Sequence, residues 1–174
     1  MATKDIRVQR FSVISSRPFQ EVVAAIQAAV GHPDMAEFSR NVSEARTFAE
    51  LEKIVQGALG PSGFMQFTQF NLGEILRKRN GPHFPQNVRF IIGNPLVMST
   101  MAQHVPDTGS YAPVTILIDE RRDGVHLSYD TMTSCLAPYG NPEALKTARE
   151  LDAKIEALLN TVAARASTPG TKAA

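Results

Sequence analysis

The residues with chemistry to offer fall into two stretches. The first is Gly93-Asn94-Pro95, with Met98, Met101 and His104 following at helical spacing. A Gly-Asn-Pro turn opening a helix can present free backbone N–H groups to an anion or a polar ligand. The same three types also make a tight strand-to-helix turn: glycine for a positive φ, asparagine as cap, proline as first helical residue. No Gly-Lys-Ser/Thr follows, so this is not a phosphate loop. The second stretch is Tyr129, Asp130, Thr131, Thr133, Ser134 and Cys135, read as a polar strand end running into an irregular loop. Tyr129, Asp130 and Ser134 are expected to line a small polar pocket with the Gly93 turn. The competing reading has Asp130 and Thr133 capping a turn. Cys135 as a nucleophile needs a histidine base, which the sequence alone does not place.

The histidines are His32, His83, His104 and His126. No two stand four residues apart, and Cys135 is the only cysteine, so no sequence-local metal site is expected. His104 falls at a helix end, where the dipole favours an imidazolium. With Met98 and Met101 before it, the alternative is an axial haem ligand; otherwise no cofactor is expected. Asp119 and Glu120 are strand neighbours pointing to opposite faces, so they cannot share a proton site. Phe64, Met65, Phe67, Phe70, Met98 and Met101 supply a soft apolar lining, which suits a small apolar or amphipathic ligand held between sheet and helices.

The surrounding pattern says which elements position these groups. Residues 5–14 read as a strand with a bend near Arg10, because Ile6, Val8 and Ile14 share one parity and Phe11 and Val13 the other. Residues 18–30 carry an amphipathic stripe stopped by Gly31-His32-Pro33. Residues 34–46 are ambiguous. Thr47-Phe48-Ala49-Glu50 is a capping box, leading a stripe of Phe48, Leu51, Ile54, Val55 and Ala58. From Phe64 to Gln69 apolar and polar residues alternate as in a strand. A short helix at 71–79 and a strand at 87–92, central in the sheet, come next. A helix over 95–104, a turn at 106–109 and a β-rich run at 114–118 follow. An Arg122-Asp123-Gly124 hairpin leads into the strand 125–129, and a long helix spans 142–164. One parallel crossover is suggested; the rest is antiparallel, giving an α+β fold with helices on one face of the sheet.

Bulk properties bound the function. The chain has 174 residues, 43% of them hydrophobic, enough for one core. A single domain over 1–166 is expected, with a disordered tail over 167–174. Eighteen basic against 17 acidic residues leave a net charge of +1, no basis for nucleic-acid binding. Arg77-Lys78-Arg79 reads as a solvated helix end. No apolar run approaches the ~20 residues of a membrane span. The lone cysteine and the absence of an apolar leader point to a cytoplasmic protein.

Gly93-Asn94-Pro95, Pro106-Asp107, Ala112-Pro113, Asp123-Gly124 and Tyr129-Asp130 stand in register over residues 64–135. This series resembles the domain-of-unknown-function family 302. The resemblance implies a TATA-box-binding-protein-like arrangement, β-α-β4-α in outline, with 34–60 as an added helical segment. It implies a homodimer and no assigned activity. Relatives carry Pro-Ser-Ser after Tyr-Asp, where this chain has Met132-Thr133-Ser134-Cys135. Two functions stay open: a non-catalytic homodimeric module binding a small molecule, and an enzyme using Cys135, Ser134, Asp130 and a histidine.

Overall fold

The computed structural model describes residues 3–164; the expected tail lies outside them. Five strands form one sheet: β1 (Arg10–Ser15), β2 (Met65–Phe70), β3 (Asn87–Gly93), β4 (Val114–Arg121) and β5 (Gly124–Asp130). Their order is β1-β5-β4-β3-β2, and every ladder is antiparallel. The expected parallel crossover is absent; its only trace is a single bridge between Gly31 and Met65. β3 is flanked on both sides, in keeping with its mostly apolar run into Gly93.

One face of the sheet carries Val88, Phe90, Ile92, Val114, Ile116, Ile118, Val125, Leu127 and Tyr129, all buried. Helices α1 (Phe19–Ala29), α5 (Pro95–Ala102) and α7 (Pro142–Ala163) cover it. Their stripes meet it with Phe19, Val22 and Ile26, with Met101, and with Ala148, Leu151, Ile155 and Leu159. Each fully buried aliphatic or aromatic side chain contributes ~1.5–3 kcal/mol. The opposite face carries Ser12, Ile14, Phe70, Arg89, Ile91, Thr115 and Leu117, and no helix covers these partly or fully exposed residues.

The first strand is shorter than its pattern. Gln9 donates its N–H to Ser134 Oγ and accepts from Thr131 N, each at 2.9 Å. The Thr131 bond continues the β1–β5 register by one step, the Ser134 bond then draws the Gln9 N–H off the ladder, and in β1 Phe11 and Val13 lean on the core. The ambiguous segment is helix α2 (Met35–Glu44), because Asp34 Oδ1 caps Ala36 N and Glu37 N at 2.9 and 2.8 Å. It buries none of its residues, and in α3 (Phe48–Ala58) only Val55 is buried while Phe48 stands in solvent. The Thr47 capping box closes differently from its pattern: Glu50 reaches Arg46 N rather than Thr47 N. What fixes this α2–α3 pair is backbone. A Cβ on Gly31 would overlap the Ala58 carbonyl oxygen, and Gly31 N and Gly60 N both donate to Phe64 O.

Two more helices complete the chain. Asn71 caps α4 (Leu72–Asn80), accepting from Glu74 N at 3.2 Å. Residues 131–136 are not an irregular loop. They form helix α6 (Met132–Leu136), with Met132, Ser134, Cys135 and Leu136 buried.

Candidate functional site

β3 and β5 are both antiparallel to β4, so they run the same way and end at the same edge of the sheet. Each then turns into a helix, and the start of β4 lies between the two turns. The two expected site clusters therefore sit side by side, but they do not form one pocket.

At the end of β3, Asn94 accepts from Leu96 N at 3.0 Å and Val97 N at 3.5 Å, and Pro95 is the first residue of α5. The Asn94 amide also donates to Gly63 O at 3.2 Å, so both its ends are engaged. Gly93 is not there for a positive φ; the positive-φ residues are Gly63, Gly81, Gly124 and Gly140. Its missing side chain leaves room. A Cβ would meet Pro113 Cβ at 3.2 Å and the Phe67 ring at 3.4 Å.

That room opens into a cavity of about 140 Å³. It is lined by Phe67, the Gly93-Asn94-Pro95 turn, Val97, Met98 and Met101 on one side, and by Ala112, Pro113, Val114 and Leu151 on the other. Phe67 is delivered by a bulge. Gln66 pairs with Ile92 and Thr68 with Ile91, which leaves Phe67 unpaired between them and breaks the alternation read from the sequence. Of the six soft side chains expected to line a cavity, Phe67, Met98 and Met101 do so. Phe64 and Met65 are buried away from it and Phe70 is exposed.

At the end of β5 the residues separate. Arg10 grips Asp130 through two bonds of 2.6 and 2.8 Å on the open sheet face, so Asp130 caps nothing. Asp130 and Cys135 line a distinct groove of about 280 Å³ with Ile6, Val8, Tyr111, Val114, Thr115 and Met132. Ser134 Oγ donates to Thr131 O at 2.8 Å and accepts from Gln9 N, a structural clamp. Burial pushes the Cys135 thiol up, away from the reactive thiolate. No histidine lines this groove. His126 is buried on β5 and bonds to Asp123 at 2.9 Å, which holds the Asp123 carboxyl below its ordinary range. His104 is exposed in the turn after α5 and does not line the cavity beside Met98 and Met101, so the three are not brought together.

Tyr129 is not a pocket residue either. It is buried, and its hydroxyl donates to Asp152 Oδ1 at 2.7 Å. Burial first, and the neighbouring Asp152 second, push that hydroxyl far above the ordinary tyrosine range. Asp152 comes from the middle of α7, is itself buried, and accepts from Met132 N at 2.8 Å and Thr133 N at 3.0 Å. It caps α6 from another element. Thr131 and Thr133, which are candidates for that cap by type, leave their hydroxyls unpartnered in the protein. The sequence showed one signal for Asp152: a carboxylate on the buried face of the helix stripe, between Leu151 and Ile155.

Among the described residues no group of three or more His, Cys, Asp or Glu side chains is arranged to hold a metal ion. No helix among them is long and apolar enough to cross a membrane. The fold is a single antiparallel sheet with a helical layer on one side and an apolar cavity at its edge. The chain belongs to the family described as domain of unknown function DUF302, whose model matches residues 38–162. The match is wider than the 64–135 series and begins inside α2, so the helical segment before β2 lies largely within the family span. The crystal structure of an uncharacterized conserved DUF302 protein from Bacillus stearothermophilus is similar, with a TM-score of 0.61 and 12% identity over 87% of this chain and 95% of that one. That likeness shows the fold. No curated protein matches the chain.

Proposed function

We propose that the protein binds a small, uncharged, apolar molecule in the cavity between α5, α7 and the start of β4, without transforming it. One observation carries this: the cavity is walled by carbon and sulfur, while the Asn94 amide at its mouth is already engaged at both ends. An apolar void of ~150 Å³ stays dry and admits benzene or xenon, and this one has about 140 Å³. Met98 and Met101 suit such a role, since unbranched thioethers repack around guests of different shape. An amphipathic ligand fits only with its polar end in solvent.

The catalytic alternative has no comparable support, because Ser134 is clamped, Cys135 is buried as a thiol and no histidine stands beside them. The expected homodimer is retained as part of the proposal. The uncovered sheet face with Ile14, Phe70, Ile91 and Leu117 supports it, and light scattering on the purified chain tests it.

Titration calorimetry with benzene, toluene and short alkanols tests the binding. Saturable binding by the wild type, lost when Met98→Trp fills the cavity, is the expected result. No binding by either protein, or equal binding by both, contradicts it.

A further inference from the structure

We infer that the outer face of α4 is a weak docking surface for anionic lipid bilayers, independent of the cavity at the opposite end of the sheet. Gly73 fixes which side of α4 faces inward: it is buried, and a Cβ there would press on Asn87 N at 2.8 Å. At ~100° per residue, Ile75 then projects about 200° away, with Lys78 and Arg79 on either side of it. Ile75 is 66% exposed, more than any other large hydrophobic side chain among the described residues. Phe84, in the loop that follows α4, is also exposed.

The outer face of α4 is mostly basic, while the acids nearest its following loop, Asp119 and Glu120, belong to β4, where Glu120 accepts from Gln86 N at 3.2 Å. From Lys53 to Pro106 the chain carries Lys53, Arg77, Lys78, Arg79 and Arg89 against the single acid Glu74. None of Arg77, Lys78 and Arg79 enters an ion pair among the described residues. A helix dipole explains cations in a last turn, but it does not explain an isoleucine held in water between two of them. Apolar groups set among cations are the chemistry of an interfacial helix. Each basic residue near an anionic surface contributes ~1 kcal/mol, about fivefold in partitioning. The isoleucine favours a bilayer over an acidic protein or nucleic acid, which charge alone would recruit.

The test is co-sedimentation of the full chain with vesicles at low salt. The wild type is expected to bind phosphatidylserine-rich vesicles and to leave pure phosphatidylcholine vesicles unbound. The double variant Lys78→Ala/Arg79→Ala should bind roughly 25-fold more weakly. Ile75→Ser should weaken vesicle binding several-fold yet leave retention on a polyglutamate column unchanged. All substituted positions are exposed, and thermal melts confirm that the variants fold. Absence of wild-type binding overturns the inference, as does a double variant that binds like wild type. Vesicle binding indifferent to Ile75→Ser overturns it too, by pointing to an acidic macromolecule.

Discussion

Two strand-to-helix turns stand side by side at one edge of this sheet and are held by opposite means. The turn after β3 is closed by its own residue: Asn94 caps α5 two and three positions on. The turn after β5 is closed from a distance. Asp152, twenty residues after Met132, supplies the carboxylate that caps α6 and receives the Tyr129 hydroxyl. The first turn leaves space around a glycine and a cavity behind it. The second fills its space with buried polar groups and leaves outside them the groove that Asp130 and Cys135 line. Polar residue types in a strand-end segment are thus a poor guide to a site when a buried partner from another element consumes them.

The sharpest way to break this contrast is Asp152→Ala. It strands the Thr133 N–H, leaves the Tyr129 hydroxyl proton without an acceptor and removes one of the two acceptors of Met132 N–H, so a loss of about 3–5 kcal/mol in chemical denaturation is expected. Tyr129→Phe removes two hydrogen bonds, the one donated to the Asp152 carboxylate and the one accepted from Met132 N, and should cost about 1.5–3 kcal/mol. Asn94→Ala should cost about 1 kcal/mol, the usual worth of a local cap. If Asn94→Ala proves as damaging as Asp152→Ala, the two turns are not differently held. Gly93→Ala should change stability least, by about 1 kcal/mol or less, because its Cβ meets Pro113 and Phe67 at tight but not overlapping distances. It should nevertheless weaken apolar-ligand binding in calorimetry, because both neighbours line the cavity. Thiol labelling gives the finest test: Cys135 should react slowly with a maleimide at neutral pH and faster as pH rises, since burial holds it protonated.

Much of the fold is legible in local pattern. The stripe of Leu145, Ala148, Leu151, Ile155 and Leu159 finds the long helix, Asn71 and Asn94 announce their caps, and the run before Gly93 marks an interior strand. What escapes is non-local. The ladder of β1 ends beside Gln9 because its N–H turns to Ser134 Oγ, far along the chain. Phe67 reaches the cavity through a bulge defined by its partner strand, which alternation cannot register. The residue types of the Gly93 turn suggest a positive φ, whereas the glycine there makes room for Pro113, which leads into the next strand. Tyr129 and Ser134 read as functional by type, because the partners that satisfy them in space are invisible in the local sequence.

The central claim is that the apolar cavity beside the Gly93 turn admits a guest while the Asp152 turn next to it does not. Methyl NMR of methionine-labelled protein tests it most directly, since Met98 and Met101 line the cavity and Met132 sits at the other turn. On titration with benzene, the Met98 and Met101 methyl signals should shift and saturate together while Met132 stays fixed. Signals that stay fixed at all three positions, or a Met132 shift as large as the others, would contradict the account.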